Sequence, residues 1–323
     1  MLPALKLSLA GLTVAILATV SLFIGVSDVT LDSLLSSALE DRPLQVLLIS
    51  RIPRTLALIL SGSALAVSGL IMQMLMRNRF VEPSTAGTVE SASLGLLVVT
   101  MLAPGWPLFG KMAVASLFAL GGTALFVRLL ASVPLRSPYV VPLVGIMLGG
   151  VISAVTTFIA YRYDLLQTLG AWSMGDFSGI VRGRYELLWL AAGLTVLAYL
   201  AADRFTVAGL GEAFTTNLGL NYRRVLALGL SIVAMVTAVI VVTAGAIPFL
   251  GLIVPNLVSA VMGDNLRRSI PWIALSGAGF VLASDIAGRL IRFPYEIPVG
   301  TVFGVAGSLI FLWLLLGRRR QLG

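Results

Sequence analysis

Charged residues are rare in this sequence, so those at short spacing are the first candidates for chemistry. Arg51 and Arg54 are three residues apart, which places them on one face of a helix, and Pro53 between them suits a first helical turn. Two arginines on the outer side, where the ten-span topology places them, oppose the positive-inside bias, so some interaction should compensate for their cost. The alternative is that both arginines only anchor a helix end at the lipid surface.

A second patterned stretch, residues 203–224, lies between two long apolar runs. Leu210, Phe214 and Leu218 recur in it every four residues, whereas Glu212 falls at another angle. This pattern predicts a short amphipathic helix or a pair of helices. Its hinges are glycines: Gly209, Gly211 and Gly219. Because the stretch is longer than a turn between two spans requires, we expect a surface that a soluble partner grips. An interfacial helix lying on lipid headgroups is the alternative.

The composition excludes most catalytic chemistry. The chain has no Cys and no His, which removes thiolate and imidazole metal ligands and the usual Ser-His and Cys-His nucleophiles. Lys6 and Lys111 are the only lysines, and the sequence contains no phosphate-binding P-loop motif. No Asp or Glu falls at the centre of a predicted span, which argues against an intramembrane aspartyl protease and an ion-driven carrier. We therefore expect no cofactor, no metal site and no catalytic residue, and a conduit that another chain powers.

The elements that position these residues are apolar helices. Of the 323 residues 58% are hydrophobic and 11% charged, with a mean hydropathy of +1.02, whereas a soluble domain carries about 25% charged residues. Runs long enough to cross a bilayer as helices occur near 5–26, 55–76, 86–103, 112–131, 139–160, 187–202, 225–244, 247–262, 271–288 and 297–316. The sequence predicts an all-α polytopic membrane protein of about ten spans, with residues 1–323 forming one domain.

Lys and Arg indicate the orientation. With ten spans, 13 of the 22 basic residues lie on the side of the termini and nine on the other side. The positive-inside rule therefore predicts cytoplasmic termini, and the formal charge of +8 is a topology signal rather than a nucleic-acid footprint. On the outer side we expect a short interfacial helix over residues 31–39 and a half-helix over residues 165–172.

Small residues and a proline mark helices that should pack closely. Gly145 and Gly149 are four residues apart in the fifth span, and this spacing serves helix packing or, alternatively, a pathway lining. Pro255 lies within the eighth span, where a missing backbone donor is tolerable only if neighbouring protein or water satisfies the freed carbonyl. We expect this helix to be kinked and internal; a functional hinge and a structural kink remain open.

Several short motifs, in their order and spacing, carry a resemblance that covers nearly the whole chain. The matching pieces are Arg51-x-Pro53-Arg54 with Gly62 and Gly69; Gln73 with Arg77-Asn78 and Pro83; Gly211-Glu212 with Leu218-Gly219; Gly245-x-Ile247-x-Phe249-x-Gly251-Leu252-Ile253-x-Pro255; Gly263-Asp264-x-x-Arg267; and Asp285-x-x-x-Arg289 with Glu296-x-Pro298-Val299-Gly300. In these the chain resembles the ten-span permease subunits of ATP-driven importers for iron–siderophore complexes, haem and cobalamin.

The resemblance implies the type II ABC importer permease fold in a bacterial inner membrane. It implies a dimer with the same or a paralogous permease, a pathway at the interface, a substrate-binding protein docked outside and two ATPases inside. Arg51, Arg54 and Arg289 correspond to arginines that pair with glutamates of the binding protein. The stretch from Gly211 to Gly219 within residues 203–224 corresponds to the segment that couples to the ATPase.

Three departures from the family pattern bear on the substrate. Asn78-Arg79-Phe80 stands where Asn-Pro-Leu is common, Asn256 where His often follows the proline, and Gly307-Ser308 leads to Leu309 instead of a Gly-x-Pro turn. The first two are similar to a subset of ferric-siderophore permeases, often for catechol-type carriers. The resemblance thus implies a ferric-siderophore permease. A haem or cobalamin permease is the alternative within the family, and a secondary transporter is the alternative outside it.

Overall fold

The computed structural model describes residues 2–25, 42–133, 139–262 and 265–319, and the regular structure within these ranges is helical throughout. The α-helices are α1 Leu2–Phe23, α2 Arg42–Val46, α3 Ile52–Leu75, α4 Thr88–Leu102, α5 Leu108–Ser132, α6 Val140–Arg162, α7 Leu166–Trp172, α8 Leu188–Leu200, α9 Ala202–Gly209, α10 Glu212–Asn217, α11 Tyr222–Ala244, α12 Leu250–Met262, α13 Leu266–Ile291 and α14 Val299–Arg319. A π-helical turn, Leu47–Arg51, leads into α3, and short 3₁₀ turns precede α4 and α8.

The ten predicted spans correspond to ten apolar helices or helix pairs in the described ranges. Six helices are long and apolar enough to cross a membrane, and α8 with α9 makes a seventh span if this pair, bent by 63°, is counted as one. Three shorter apolar helices, α4, α12 and the apolar part of α14, account for the others. The all-α prediction is confirmed, as is the surface half-helix, which is α7. The interfacial helix predicted over residues 31–39 lies outside the described residues.

Helix α3 is the centre of the bundle. It packs against α8, α11, α12 and α13, and 78% of its membrane-crossing window is buried. Glycines let its backbone approach two neighbours: a Cβ on Gly62 would lie 2.6 Å from the carbonyl oxygen of Gly277, and one on Gly69 would lie 2.0 Å from that of Gly251. Those distances leave no room for a methyl group, so the small residues of this face serve helix packing.

Pro255 lies inside α12, and residues 250–255 of this helix are all buried. The N-terminal half of the eighth span is therefore internal, as predicted, whereas its C-terminal half is more open, with Val261 86% exposed. Its N-terminal end also contacts α3 and α14, so the segment that carries the proline is held within the protein rather than exposed to lipid.

Candidate functional site

The end of the bundle at which α1 ends and α14 begins holds the charge cluster that contains Arg54. Its guanidinium forms two ion pairs, with Asp285 at 2.6 Å and with Glu296 at 2.7 Å. The side chain of Asp285 is fully buried, whereas 29% of the Glu296 side chain is exposed. Arg54 therefore connects a buried carboxylate with one that reaches the surface.

Arg289 and Arg51 lie beside this pair and hold the end of α1. Arg289 is buried, forms an ion pair with Asp285 one helical turn earlier in α13, and donates hydrogen bonds to the carbonyl oxygens of Ser21 (3.0 Å) and Ile24 (2.6 Å). Arg51, also buried, donates to the carbonyl of Leu22 at 2.7 Å. The last carbonyls of a helix have no partner within it, so these arginines cap α1 and lie at the negative end of its dipole.

The sequence placed the three arginines on one side of the membrane, and the structure brings them together. It did not identify their carboxylate partners, although the four-residue spacing of Asp285 and Arg289 was a usable signal. Because Arg51 and Arg289 are 7% and 6% exposed, their contacts in this structure are internal ones. Within the cluster, the Arg54–Glu296 pair is the part nearest the surface.

The stretch 203–224 is a helix pair. Helix α9 ends at Gly209 and α10 begins at Glu212, with Gly211 between them at φ +110°, a conformation that favours glycine. Thr215 fixes the pair from inside: it is buried, and its hydroxyl contacts the carbonyl oxygens of Gly211 (2.7 Å) and Val207 (3.2 Å). Gly219, at φ +79°, ends the segment.

Three apolar side chains of this segment are exposed: Leu210, Phe214 and Leu218, at 57%, 57% and 58%. We call these three the apolar stripe; the exposed polar side chains of Glu212, Thr216 and Asn217 accompany them. Glu212 stands in the first turn of α10, where a negative charge suits the helix dipole. Three adjacent exposed apolar side chains on a loop between spans make a surface that suits a protein contact or a lipid contact.

A loop of residues 76–87 joins α3 to α4 and touches both the helix pair and the bundle. The Arg77 guanidinium would lie 3.2 Å from a Cβ placed on Gly211. Glu82, fully buried, accepts hydrogen bonds from Ser84 and from the backbone N–H of Phe249 (2.9 Å), just before α12. Burial raises the pKa of the Glu82 carboxyl to about 7. The sequence alone does not identify Glu82, because nothing local marks a loop glutamate as buried.

The pathway and hinge candidates also contact this loop. A Cβ on Gly145 would lie 2.0 Å from the carbonyl oxygen of Thr85, and one on Gly149 would lie 3.3 Å from Cδ of Glu90. Gly145 is therefore at a close-packed crossing of α6 and the loop, which agrees with the packing interpretation. Asn256, next to Pro255, donates to the carbonyls of Arg79 (2.8 Å) and Leu252 (2.7 Å) and so ties α12 to the same loop.

Known proteins resemble this chain along its whole length. The model of the FecCD transport family matches residues 12–317. The petrobactin import system permease protein YclN of Bacillus subtilis is 47% identical, with 98% of this chain and 99% of that protein covered. The ferric-anguibactin transport system permease protein FatD of Vibrio anguillarum is 42% identical over 93% of this chain and 95% of its own length.

A solved structure shares the fold. An inward-facing conformation of a protein assigned as a metal-chelate type ABC transporter superposes with a TM-score of 0.80 at 25% identity, and the match covers 97% of this chain and 99% of that one. Together with the all-helical bundle, this match defines the class: a polytopic membrane permease with the ABC importer permease fold. The chain belongs to the FecCD transport family.

Proposed function

We propose that this chain is the membrane permease of an ATP-driven importer that passes a ferric-siderophore complex from a binding protein into the cytoplasm. The observation that carries the proposal is full-length similarity to permeases of petrobactin and ferric-anguibactin systems, both siderophore importers by name. Radiolabelled iron uptake tests it: a strain that lacks the permease should lose import of at least one ferric siderophore in a panel, and the plasmid-borne gene should restore it. Unchanged uptake of every carrier in the panel would contradict the proposal.

The cytoplasmic partner is an ABC ATPase dimer that grips the helix pair of residues 203–224. The exposed stripe of Leu210, Phe214 and Leu218 supports this assignment, because burying such side chains in a protein contact gives roughly 1.5–3 kcal/mol each. Gly211 and Gly219 shape the segment, and Glu212 starts its second helix. ATP hydrolysis belongs to that partner, so the permease itself is a transport subunit without catalysis of its own.

The outer partner is a substrate-binding protein that docks over the cluster of Arg51, Arg54 and Arg289. Arg54 is the group through which docking acts, since its partner Glu296 is partly exposed and can be exchanged for an acidic residue of the binding protein. The buried Arg51 and Arg289 support this site by capping α1, so they contribute to docking through the shape and positive charge of the surface.

In the membrane the chain pairs with a second permease subunit, the same or a paralogue, and the pathway runs between them. Both termini face the cytoplasm of a bacterial cell, on the basis of the Lys and Arg distribution. Gly145, Gly149, Pro255 and Asn256 lie on the two helices, α6 and α12, that contact the 76–87 loop, so movement of this loop at the helix pair would reach both of them.

Two alternatives have distinct signatures. A haem or cobalamin permease of the same family would restore uptake of those compounds and not of ferric siderophores in the same strain. A secondary transporter would lose uptake when an ion gradient is collapsed and would not depend on a separate ATPase gene. Uptake that fails without the ATPase gene and survives collapse of the gradient supports the importer.

A further inference from the structure

A cavity of about 280 Å³ lies among α4, α6, α7 and the segment of residues 246–248. Its polar lining comes from Ser84 before α4, Glu90 and Ser93 of α4, Ser153, Thr156 and Thr157 of α6, and Ser173 after α7. Ser153 and Thr157 are on the exposed face of α6, so the cavity opens to that face.

The carboxylate of Glu90 is the charged group of this lining. Its Oε2 is shielded from solvent and has no hydrogen-bond partner, and the carboxyl lies against the backbone of Gly149. A buried carboxylate oxygen without a partner is costly, since nothing replaces the hydrogen bonds that water would give it. The cavity beside this atom leaves room for a partner, which can be water or a cation.

The hydroxyls around Glu90 are available as acceptors. Thr156 donates its hydrogen to the carbonyl of Ile152 at 2.7 Å, and Ser173 donates to that of Leu169 at 2.9 Å. A hydroxyl that donates in this way has lone pairs left and can only accept from a further group. None of the residues that line the cavity in the described ranges is Lys or Arg. The cavity is therefore lined by oxygen acceptors around one carboxyl group.

We propose that this cavity is a binding site for a monocationic group, either a protonated amine or a free ion such as Na⁺. One carboxylate with neutral oxygen donors balances one positive charge, whereas Ca²⁺ binds through several carboxylate oxygens. The cation has two possible sources, the transported substrate and the medium. If the substrate supplies the cation, which rests on the proposed import of a ferric siderophore, Glu90 is a specificity residue for siderophores that carry an amine.

The free ion is tested on purified full-length permease, by its thermal unfolding in NaCl, methylammonium chloride and N-methylglucamine chloride at constant ionic strength. We expect Na⁺ or methylammonium to raise the unfolding temperature of the wild type relative to the bulky N-methylglucamine. For Glu90→Gln, the same rise in unfolding temperature should require at least a tenfold higher cation concentration. Ser93→Ala should increase the required concentration less. Glu186→Gln, which removes an exposed carboxylate outside the cavity, is the control and should respond as the wild type does.

The substrate as source is tested by uptake of two ferric carriers, one with and one without a protonated amine. If Glu90→Gln selectively lowers import of the amine carrier, the substrate supplies the cation. If it abolishes the cation-dependent thermal shift and affects both carriers equally, a free ion supplies it. A wild type with no thermal response, together with a Glu90→Gln variant with unchanged selectivity, overturns the site. Failure of the wild type to import any ferric siderophore would contradict the proposed function instead, and the thermal measurement would still decide the site.

Discussion

The side-chain amide of Gln73 in α3 donates a hydrogen bond of 3.2 Å to the carbonyl oxygen of Gly251 in α12. That carbonyl is four residues before Pro255, which has no N–H to offer it. A neighbouring helix thus supplies the donor that the proline removed, which is the condition the sequence set for a proline at this depth. The amide also lies 3.4 Å from the carbonyl oxygen of Leu252, so it serves both acceptors at the proline turn.

Gln73→Leu should therefore destabilise the permease by about 1–3 kcal/mol, the cost of leaving a buried acceptor without a partner. The control is the Pro255→Ala background, in which the helix regains its own donor and the same Gln73→Leu change should cost clearly less. Thermal unfolding of the four proteins in detergent gives this comparison as a double-mutant cycle. Equal costs in both backgrounds would show that Gln73 stabilises the bundle by some other contact.

The apolar stripe of the helix pair gives the second prediction. Phe214→Asp should place an unpaired charge in the proposed contact with the ATPase and abolish co-purification, ATPase stimulation and import. The variant should still insert into the membrane and bind the outer partner. Asn217→Asp, which adds a charge at an exposed polar position of the same helix, is the matched control and should keep its ATPase. If Phe214→Asp also retains ATPase and import, the stripe lies on lipid and the coupling proposal is wrong.

The arginine cluster gives the third prediction, in which stability and docking separate. Arg289→Gln removes a buried partner of Asp285 and the cap of α1, so we expect a loss of about 3–5 kcal/mol in stability. Arg54→Gln leaves Asp285 paired with Arg289 and should lower stability less, while it weakens affinity for the binding protein, and Arg54→Glu should weaken that affinity further by repulsion. Thermal unfolding and binding-protein affinity are measured on the same preparations. Normal docking of a folded Arg54→Glu variant would restrict this cluster to a structural role.

Orientation gives the fourth prediction, which the absence of Cys makes simple to test. Single cysteines at Ser178 and Thr216, both exposed, should be labelled from outside and from inside, respectively. An impermeant reagent added to intact spheroplasts should therefore label only the first. Labelling of the second under the same conditions would reverse the topology, and with it the assignment of the ATPase to residues 203–224.

The buried carboxyl of Glu82 gives a pH dependence. Its pKa in the folded protein, about 7, is above the ordinary value of 4.5, so the folded state holds this proton more tightly than the unfolded one. The resulting stabilisation is complete below pH 4.5 and is lost as the pH rises through 7. We expect Glu82→Gln, which cannot titrate, to flatten the fall in unfolding temperature between pH 5 and 8. A wild type and variant with parallel pH profiles would contradict this assignment.

The sequence predicts the helices well, but it does not predict most of the contacts between them. Apolar length predicts the ten segments, and the spacing of Leu210, Phe214 and Leu218 predicts the helix pair, because both are properties of neighbouring residues. The partners of Arg54 are different, since Asp285 lies 231 residues away along the chain and only the fold brings them together. Glu90 could not be recognised as a candidate from the sequence for a related reason. It falls at the first turn of a span rather than at its centre, and its burial depends on α6 and α7.

The contacts of Arg289 with α1 also set an order in time. The carbonyls of Ser21 and Ile24 receive hydrogen bonds from a residue made 268 and 265 positions later. At a synthesis rate of about 5–20 residues per second, the ribosome needs roughly 13–54 s to cover that distance. The first helix therefore lacks these two hydrogen bonds until the ninth span arrives, although Arg51, made only 29 residues after Leu22, can already cap part of its end. A chain truncated before Arg289 should leave α1 without this cap, and the cell's quality-control proteases should remove it faster than a chain truncated just after that residue.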